Sequence, residues 1–248
     1  MPGVLHEYRS PHPLTRPDWP KRHDGDSRAF NLLPYMEHPE QYPDAVLRDT
    51  KDTTLIVDKY PKAKVHLLLL PKWEPHRNLH PHDALQDEAL LAALKKDVRE
   101  GVKIASARLR ALMLSTNPDL QGIDSPLHKR DFTKDLKIGI HAHPSQHHLH
   151  IHIISRDMVS DHDYSSRHYQ SFNTPFFVPL RLYPLALNDI NRGTSFQNSN
   201  LMKPDFQCWR CGRDFGEDWR KLKTHLRDEW QSWSRLAIDD SEARQTES

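Results

Sequence analysis

The sequence predicts an α+β protein, an antiparallel sheet with helices, followed by a small separate module at the C-terminal end. Three observations carry this. Two β-rich runs, Thr53-Thr54-Leu55-Ile56-Val57 and Ala63 to Leu70, are joined by Asp58-Lys59-Tyr60-Pro61-Lys62, a plausible hairpin connection. One long segment repeats its apolar residues near helical spacing. Close to the end, a Cys-x-x-Cys pair precedes a basic amphipathic helix.

Taken in order, the stretch up to about residue 27 carries five prolines and mixed charge without apolar periodicity, and reads as a flexible tail. Phe30, Leu32, Leu33 and Met36 predict a short helix that stops before Pro39. After the two β runs, Asp83 to Met113 reads as one helix with an acidic N-cap. Leu85, Leu90, Leu91, Leu94, Val98, Val102 and Ile104 form its apolar stripe, and Gly101 marks a bend or interruption. Residues 115–134 are loop-like, rich in Asn, Pro, Asp and Gly. Two strands follow, Leu136 to Ala142 and His147 to Ser155, and then a polar loop region runs to about residue 200 with short apolar patches such as Phe176-Phe177-Val178. The closing residues, DDSEARQTES, read as disordered. The expected organisation is a tail over 1–28, a main domain over 29–192, a small module over 193–236 and a second tail over 237–248.

Composition narrows the function classes. The 248 residues hold 35 basic and 34 acidic side chains, a net charge of +1, so whole-surface attraction to nucleic acid is not expected and any such binding needs a local patch. A mean hydropathy of −0.80 and the lack of a long apolar run argue against a membrane helix. The N-terminal residues show no apolar signal region. Two cysteines cannot staple a disulfide scaffold. The unusual number is 18 histidines, the side chain that titrates near neutral pH and serves as ligand or nucleophile.

The sharpest signal is His148-Leu149-His150-Ile151-His152-Ile153-Ile154. Strict alternation predicts a strand with the three histidines on one face and Leu149, Ile151 and Ile153 in the core. Extended geometry would set the Cα atoms of His148 and His152 about 13 Å apart, too far for all three imidazoles to reach one zinc ion. A row of imidazoles suits a phosphate-facing line, one nucleophile flanked by proton donors. The plain alternative is a pair of exposed histidines on an edge strand. Three in phase, preceded by His141, His143 and a Pro144-Ser145 turn, favour the functional reading.

This row, with its apolar partners, resembles the signature of the histidine triad (HIT) superfamily of nucleotide hydrolases and transferases. The Asp58-to-His66 segment, His141-Ala142-His143-Pro144-Ser145, Ser171-Phe172-Asn173-Thr174 and the terminal Cys-Trp-Arg-Cys together resemble the aprataxin family within it, in the form that joins a HIT domain to a finger. The likeness spans about residues 29–235 and implies a HIT-like sheet. It makes His150 the nucleophile that forms an adenylyl-histidine, His152 a phosphate contact and His148 its support. It makes His141 a contact that assists the leaving 5′-phosphate and places Ser145 against the phosphate. Asp58 would bind the ribose hydroxyls, or serve simply as a turn residue. Lys62 would lie near the nucleic-acid phosphates, with Lys64 flanking the same turn. Leu32 matches the base-pocket helix, and Phe30 is a candidate adenine contact. His66 is a core or supporting residue, His147 faces the opposite side of the sheet or sits in the turn, and His143 departs from the family pattern and is given no role.

In the terminal segment, Cys208 and Cys211 are followed by His225 and Glu229, four apart on one helix face over Asp218 to Trp230. No histidine follows His225, so Glu229 is the natural fourth zinc ligand, with Asp228 less well placed. The family resemblance supports the same choice. One structural zinc and no catalytic metal are expected. Lys203 to Arg227 carries three more basic than acidic side chains, Arg220 and Lys223 among them, a patch fit for phosphate contacts rather than base reading.

The resemblance implies hydrolysis of 5′-adenylates on nicked or broken duplex DNA, releasing AMP, and processing of 3′-guanylylated ends. It implies a nuclear DNA substrate and no membrane; many HIT proteins dimerise, but the finger could replace that interface, and a monomer is expected. Two rivals are a small-molecule nucleotide phosphoramidate or dinucleoside polyphosphate hydrolase, and a non-enzymatic DNA-binding module. Under the first rival, deleting residues after about 200 leaves activity intact.

Overall fold

The computed structural model describes residues 32–122, 124–162, 164–192 and 205–236. The expected tails and Phe30 lie outside these residues. Six strands, β1 (Val46–Asp49), β2 (Thr53–Val57), β3 (His66–Pro71), β4 (Leu136–His141), β5 (Ile151–Ser155) and β6 (Phe177–Pro179), form one antiparallel sheet in the order β1-β2-β3-β5-β4-β6. The fold class is the one expected. The β2–β3 hairpin forms as predicted, although β3 starts at His66 because residues 58–65 loop back. The Asp58 amide donates to the His66 carbonyl at 2.9 Å and closes that loop.

The helices are α1 (Leu33–Glu37), α2 (Pro81–Ala84), α3 (Glu88–Thr116), α4 (Ser166–Asn173) and, in the C-terminal segment, α5 (Trp219–Trp233). The single helix expected from Asp83 is two. Asp87, not Asp83, caps the long one, its carboxylate accepting from the Leu90 amide at 2.9 Å. Asp83 instead pairs with Arg192 at 3.0 Å. Gly101 does not interrupt α3, which runs through it from Glu88 to Thr116. A Cβ there would lie 2.5 Å from Ile153 Cδ1, so the glycine lets the helix lie against β5.

α3 covers one sheet face. Leu90, Leu91, Leu94, Val98, Ala105, Leu109 and Met113 pack with Leu55, Leu67, Leu69, Ile140, Ile151 and Ile153 in one core. Each of the Leu, Ile, Val and Met side chains contributes about 1.5–3 kcal/mol by leaving water. The period of two then sends the alternate residues to the opposite face. There Ile56, Leu68 and Leu70 pack against Leu32 and Met36 of the α1 region. The same face carries the functional histidines.

The C-terminal module shares the main core. Leu222, Leu226, Trp230 and Trp233 of α5, with Phe206 and Cys208, belong to the same buried cluster as the sheet and α3. Arg130 bolts the two parts together. Its Nε donates to Asp135 at 2.6 Å, its Nη1 to the Trp233 carbonyl at 2.7 Å, and its guanidinium lies 4.5 Å from the centre of the Trp233 ring. Asn117, just past α3, donates to the Ser234 carbonyl and hydroxyl at 3.3 and 3.2 Å. No helix among the described residues is long and apolar enough to cross a membrane.

Candidate active site and zinc cluster

The sheet face opposite α3 opens into a cavity of about 580 Å³, a size that suits a nucleotide. On the α1–β2 side its lining is Leu32, Pro34, Tyr35, Tyr42 and Ile56, with Leu68 from β3. On the other side stand His66, His141, Ser145, Gln146, His150 and His152, with Asp58 and Lys62 from the loop after β2. α4 supplies His168 and Phe172. The Phe172 ring backs the histidines, its centre 4.6 Å from His141, 5.1 Å from His152 and 5.4 Å from His66.

The triad is not one continuous strand. β5 begins at Ile151, so His148 and His150 lie in the preceding turn-like segment and only His152 is in the sheet. Leu149, Ile151 and Ile153 enter the core as expected. The Leu149 amide is held by the Arg77 carbonyl at 2.9 Å rather than by a neighbouring strand. The bend turns His148 away from the cavity, whose lining does not include it. What His148 offers the site is its backbone: its carbonyl accepts from His150 Nδ1 at 2.7 Å. That bond fixes the tautomer of His150 and leaves the Nε2 lone pair unprotonated.

A second chain of bonds sets the neighbour. The Lys62 amide donates to His66 Nδ1 at 3.3 Å, and an amide can only donate. His66 Nε2 lies 2.9 Å from His152 Nδ1, so the two imidazoles share one hydrogen bond. His152 Nε2 is a buried atom without a hydrogen-bond partner among the described residues. His141 Nε2 is likewise buried and unpaired among the described residues. Such orphaned nitrogens are costly in an apolar setting unless a ligand satisfies them. His141 and His152 lie ring to ring at 4.6 Å, and His150 and His152 at 4.9 Å edge to face.

Burial is the largest influence on all of these imidazoles. It holds His150, His141 and His152 below the ordinary histidine value, and His66 and His148 at about 4. The cluster is thus neutral near pH 7, the state in which an imidazole nitrogen is a nucleophile. Lys62 is also lowered by burial, an effect that Asp58 opposes. Asp58 serves as a turn residue and faces the cavity as well. One of its oxygens accepts from the Tyr60 amide at 2.7 Å, and the other lies 3.4 Å from His66 Nδ1.

Sequence reasoning missed His168, Gln146 and the tyrosines 35 and 42 as lining residues, and gave Phe172 no role. α4 has only Tyr169 and Phe172 as large buried apolar positions, too few for a periodic pattern. Its readable signal was the cap: Ser165 and His168 exchange side-chain and backbone bonds across the first turn. Lys64 lies outside the cavity. It pairs with Asp161 at 3.1 Å and shares a separate cleft with Arg227 and Trp230. Arg220 borders a surface cleft of the module beside Phe215 and His225. Lys223 Nζ lies 5.4 Å from the centre of the Tyr164 ring.

In the C-terminal module, one ligand atom each from Cys208, Cys211, His225 and Glu229 lies within 4.8 Å of all the others. A tetrahedral zinc with bonds of 2.0–2.3 Å needs donors about 3.3–3.8 Å apart, so the set fits the ion. Burial pushes the Cys208 thiol up to about 11, so its thiolate form calls for a cation beside it.

Comparison with known proteins agrees with this arrangement. The HIT domain profile matches residues 39–159, and that of the C2HE / C2H2 / C2HC zinc-binding finger matches residues 173–232. An aprataxin-like protein of Schizosaccharomyces pombe is 35% identical over 217 residues, covering 87% of each chain. The chain belongs to the aprataxin family. An aprataxin-like protein of Saccharomyces cerevisiae is 29% identical over 216 residues, 83% of this chain and 97% of that one. Among solved aprataxin structures, one described as the crystal structure of aprataxin ortholog Hnt3 in complex with DNA superposes with a TM-score of 0.65 at 32% identity, covering 84% of this chain and 96% of that one. Another, Hnt3 in complex with DNA and guanosine, gives 0.64 at 31% identity.

Proposed function

We propose that this aprataxin-family protein hydrolyses adenylates left on DNA 5′ ends, releasing AMP and restoring the 5′-phosphate. The observation that carries the reading is the His150 tautomer: Nδ1–H bound to the His148 carbonyl, with Nε2 free to attack. His150 Nε2 attacks the α-phosphorus of the adenylate. The bond from that phosphorus to the bridging oxygen breaks, and the DNA departs with its 5′-phosphate. Water then attacks the adenylyl-histidine, returning the imidazole and releasing AMP.

The neighbours serve the charge that builds on phosphorus. His152, joined through Nδ1 to His66 Nε2, turns its Nε2 toward a phosphoryl oxygen and donates to it in the tautomer that carries the proton there. His141, Ser145 and Lys62 contact the remaining oxygens or the departing phosphate. Leu32, Ile56 and Leu68 form the apolar floor for the base, and Asp58 takes the ribose. No catalytic metal is required in this reading, because the imidazoles and Lys62 can meet the phosphate charge. The structural zinc belongs to the finger. With Lys64, Arg220 and Lys223, the finger grips duplex phosphates, and a DNA substrate puts the enzyme in the nucleus. The guanosine named with the Hnt3–DNA complex supports a second substrate, the 3′-guanylylated end.

The test compares wild type and His150→Asn on a nicked duplex bearing a 5′-adenylate and on a dinucleoside polyphosphate. The reading expects kcat/KM to favour the DNA strongly and both activities to vanish in the variant. Turnover of the dinucleotide with the adenylated DNA untouched would replace it with the small-molecule hydrolase.

A further inference from the structure

The finger departs from a two-cysteine, two-histidine site at its fourth ligand, and the departure has an electrostatic consequence. Zinc held by two thiolates and two neutral imidazoles has no net charge. Exchanging one imidazole for a carboxylate leaves the site with one negative charge. Here that site is sheltered: Cys208 is buried, and the His225 and Glu229 side chains are only 16% and 14% exposed. An uncompensated charge in such a place is expensive.

Arg210 sits where compensation is needed. It lies inside the knuckle, between Trp209 and Cys211, and its Nη1 donates to Glu229 Oε2 across 19 residues of sequence. The other carboxylate oxygen, Oε1, lies 3.3 Å from His225 Nε2, on the side of the ligand cluster. The two oxygens are thus divided, one toward the metal position and one on the guanidinium. The Arg210 side chain is itself only 14% exposed, so water does not screen the pair as it would at the surface.

We propose that Arg210 is a positioning residue for the zinc site: it neutralises the extra charge brought by Glu229 and holds that carboxylate to one-oxygen ligation. This rests on the zinc reading of the four-residue cluster. A ligand's hydrogen-bond partner that sets its orientation and basicity typically changes metal affinity by about 10–100-fold.

The experiment measures zinc affinity of the full chain by competition with a chromophoric chelator, without DNA, so that phosphate binding by Arg210 does not enter. Arg210→Met is expected to weaken zinc binding about 10–100-fold, and Arg210→Lys, which keeps the charge, to recover most of the loss. The deciding variant is Glu229→His, which makes the site neutral. In that background Arg210→Met is expected to leave zinc affinity within a factor of about three. Equal losses in both backgrounds would show a packing role and overturn the proposal, as would wild-type affinity in Arg210→Met. If Cys208→Ser does not lower the zinc content, the cluster is not the zinc site, and that failure is distinct from a failure of the charge argument.

Discussion

The catalytic cavity and the finger use overlapping side-chain chemistry in opposite geometries. In the cavity, His66, His141, His150 and His152 are staged across neighbouring strands and the segment leading into β5, with His66 and His150 tied by specific hydrogen bonds. In the finger, four donors converge on one point. The sheet spreads imidazoles, which in the proposed mechanism lets each keep a separate task in proton and phosphoryl transfer. The knuckle and helix gather ligands so that all surrender their lone pairs to one ion. Residue type alone does not decide between catalysis and coordination; the backbone that spaces the residues does.

The largest expected effect separates the two regions. His150→Asn should lower turnover at least about a thousandfold, as loss of a nucleophile does, while zinc content and melting temperature stay at wild-type values. A change in zinc content would mean that the regions are not chemically independent. Structural independence is another matter. Trp233 belongs to the finger helix yet is fully buried in the core shared with α3 and the sheet. Trp233→Ala should cost about 3–5 kcal/mol and lower a single, whole-chain unfolding transition. A separate finger transition, with the HIT domain melting as before, would contradict the shared core.

That shared core also changes how the rival functions are told apart. Deleting the chain after about residue 200 strips away Trp233, Leu226 and Leu222, and with them the carbonyl that Arg130 binds. Loss of activity on truncation would therefore report on folding as much as on DNA grip. Charge substitutions at Arg220 and Lys223 are the cleaner probe.

A smaller effect is expected at the junction itself. The Tyr169 hydroxyl donates to the Gln207 carbonyl at 2.7 Å and accepts from the Trp209 amide at 3.0 Å, tying α4 to the knuckle. Tyr169→Phe leaves both groups without that partner and should cost about 1–3 kcal/mol, read in denaturant unfolding. An unchanged midpoint would show that the hydroxyl adds nothing to docking.

The pH dependence is subtler still. Burial lowers His150 below 6.5, so its lone pair survives to a lower pH than that of a free imidazole. The acid limb of kcat/KM on adenylated DNA should therefore fall below pH 6.5, and a limb at or above it would contradict the burial argument. His66 is held at about 4, so between pH 6.5 and 4 the unfolded chain binds more protons than the native one. Stability should decline as pH falls through that window.

Much of this was legible in the sequence because hydrophobic period and ligand spacing are local. The β2 run, the α3 stripe, the core positions Leu149, Ile151 and Ile153, and the gathering of Cys208, Cys211, His225 and Glu229 all follow from spacing. What escaped depends on tertiary partners. β6 is three residues ending in proline, and β1 is half-exposed with a register shift between Val46 and Arg48. Neither has a pattern of its own; each is a strand because a neighbour pairs with it. The break before α3 and the late start of β5 arise from bonds to Asp87 and to the Arg77 carbonyl, which no periodicity reveals. The contribution of His148 through its carbonyl is invisible for the same reason: sequence patterns read side chains, and this is a backbone bond.

The central claim is that His150 Nε2, not water, makes the first attack on phosphorus. The most direct test is the stereochemical course of hydrolysis at an adenylate whose α-phosphorus carries sulfur and is turned over in heavy-oxygen water. Two in-line displacements, first by His150 and then by water, predict net retention of configuration. Net inversion would mean a single attack by water and would contradict the account.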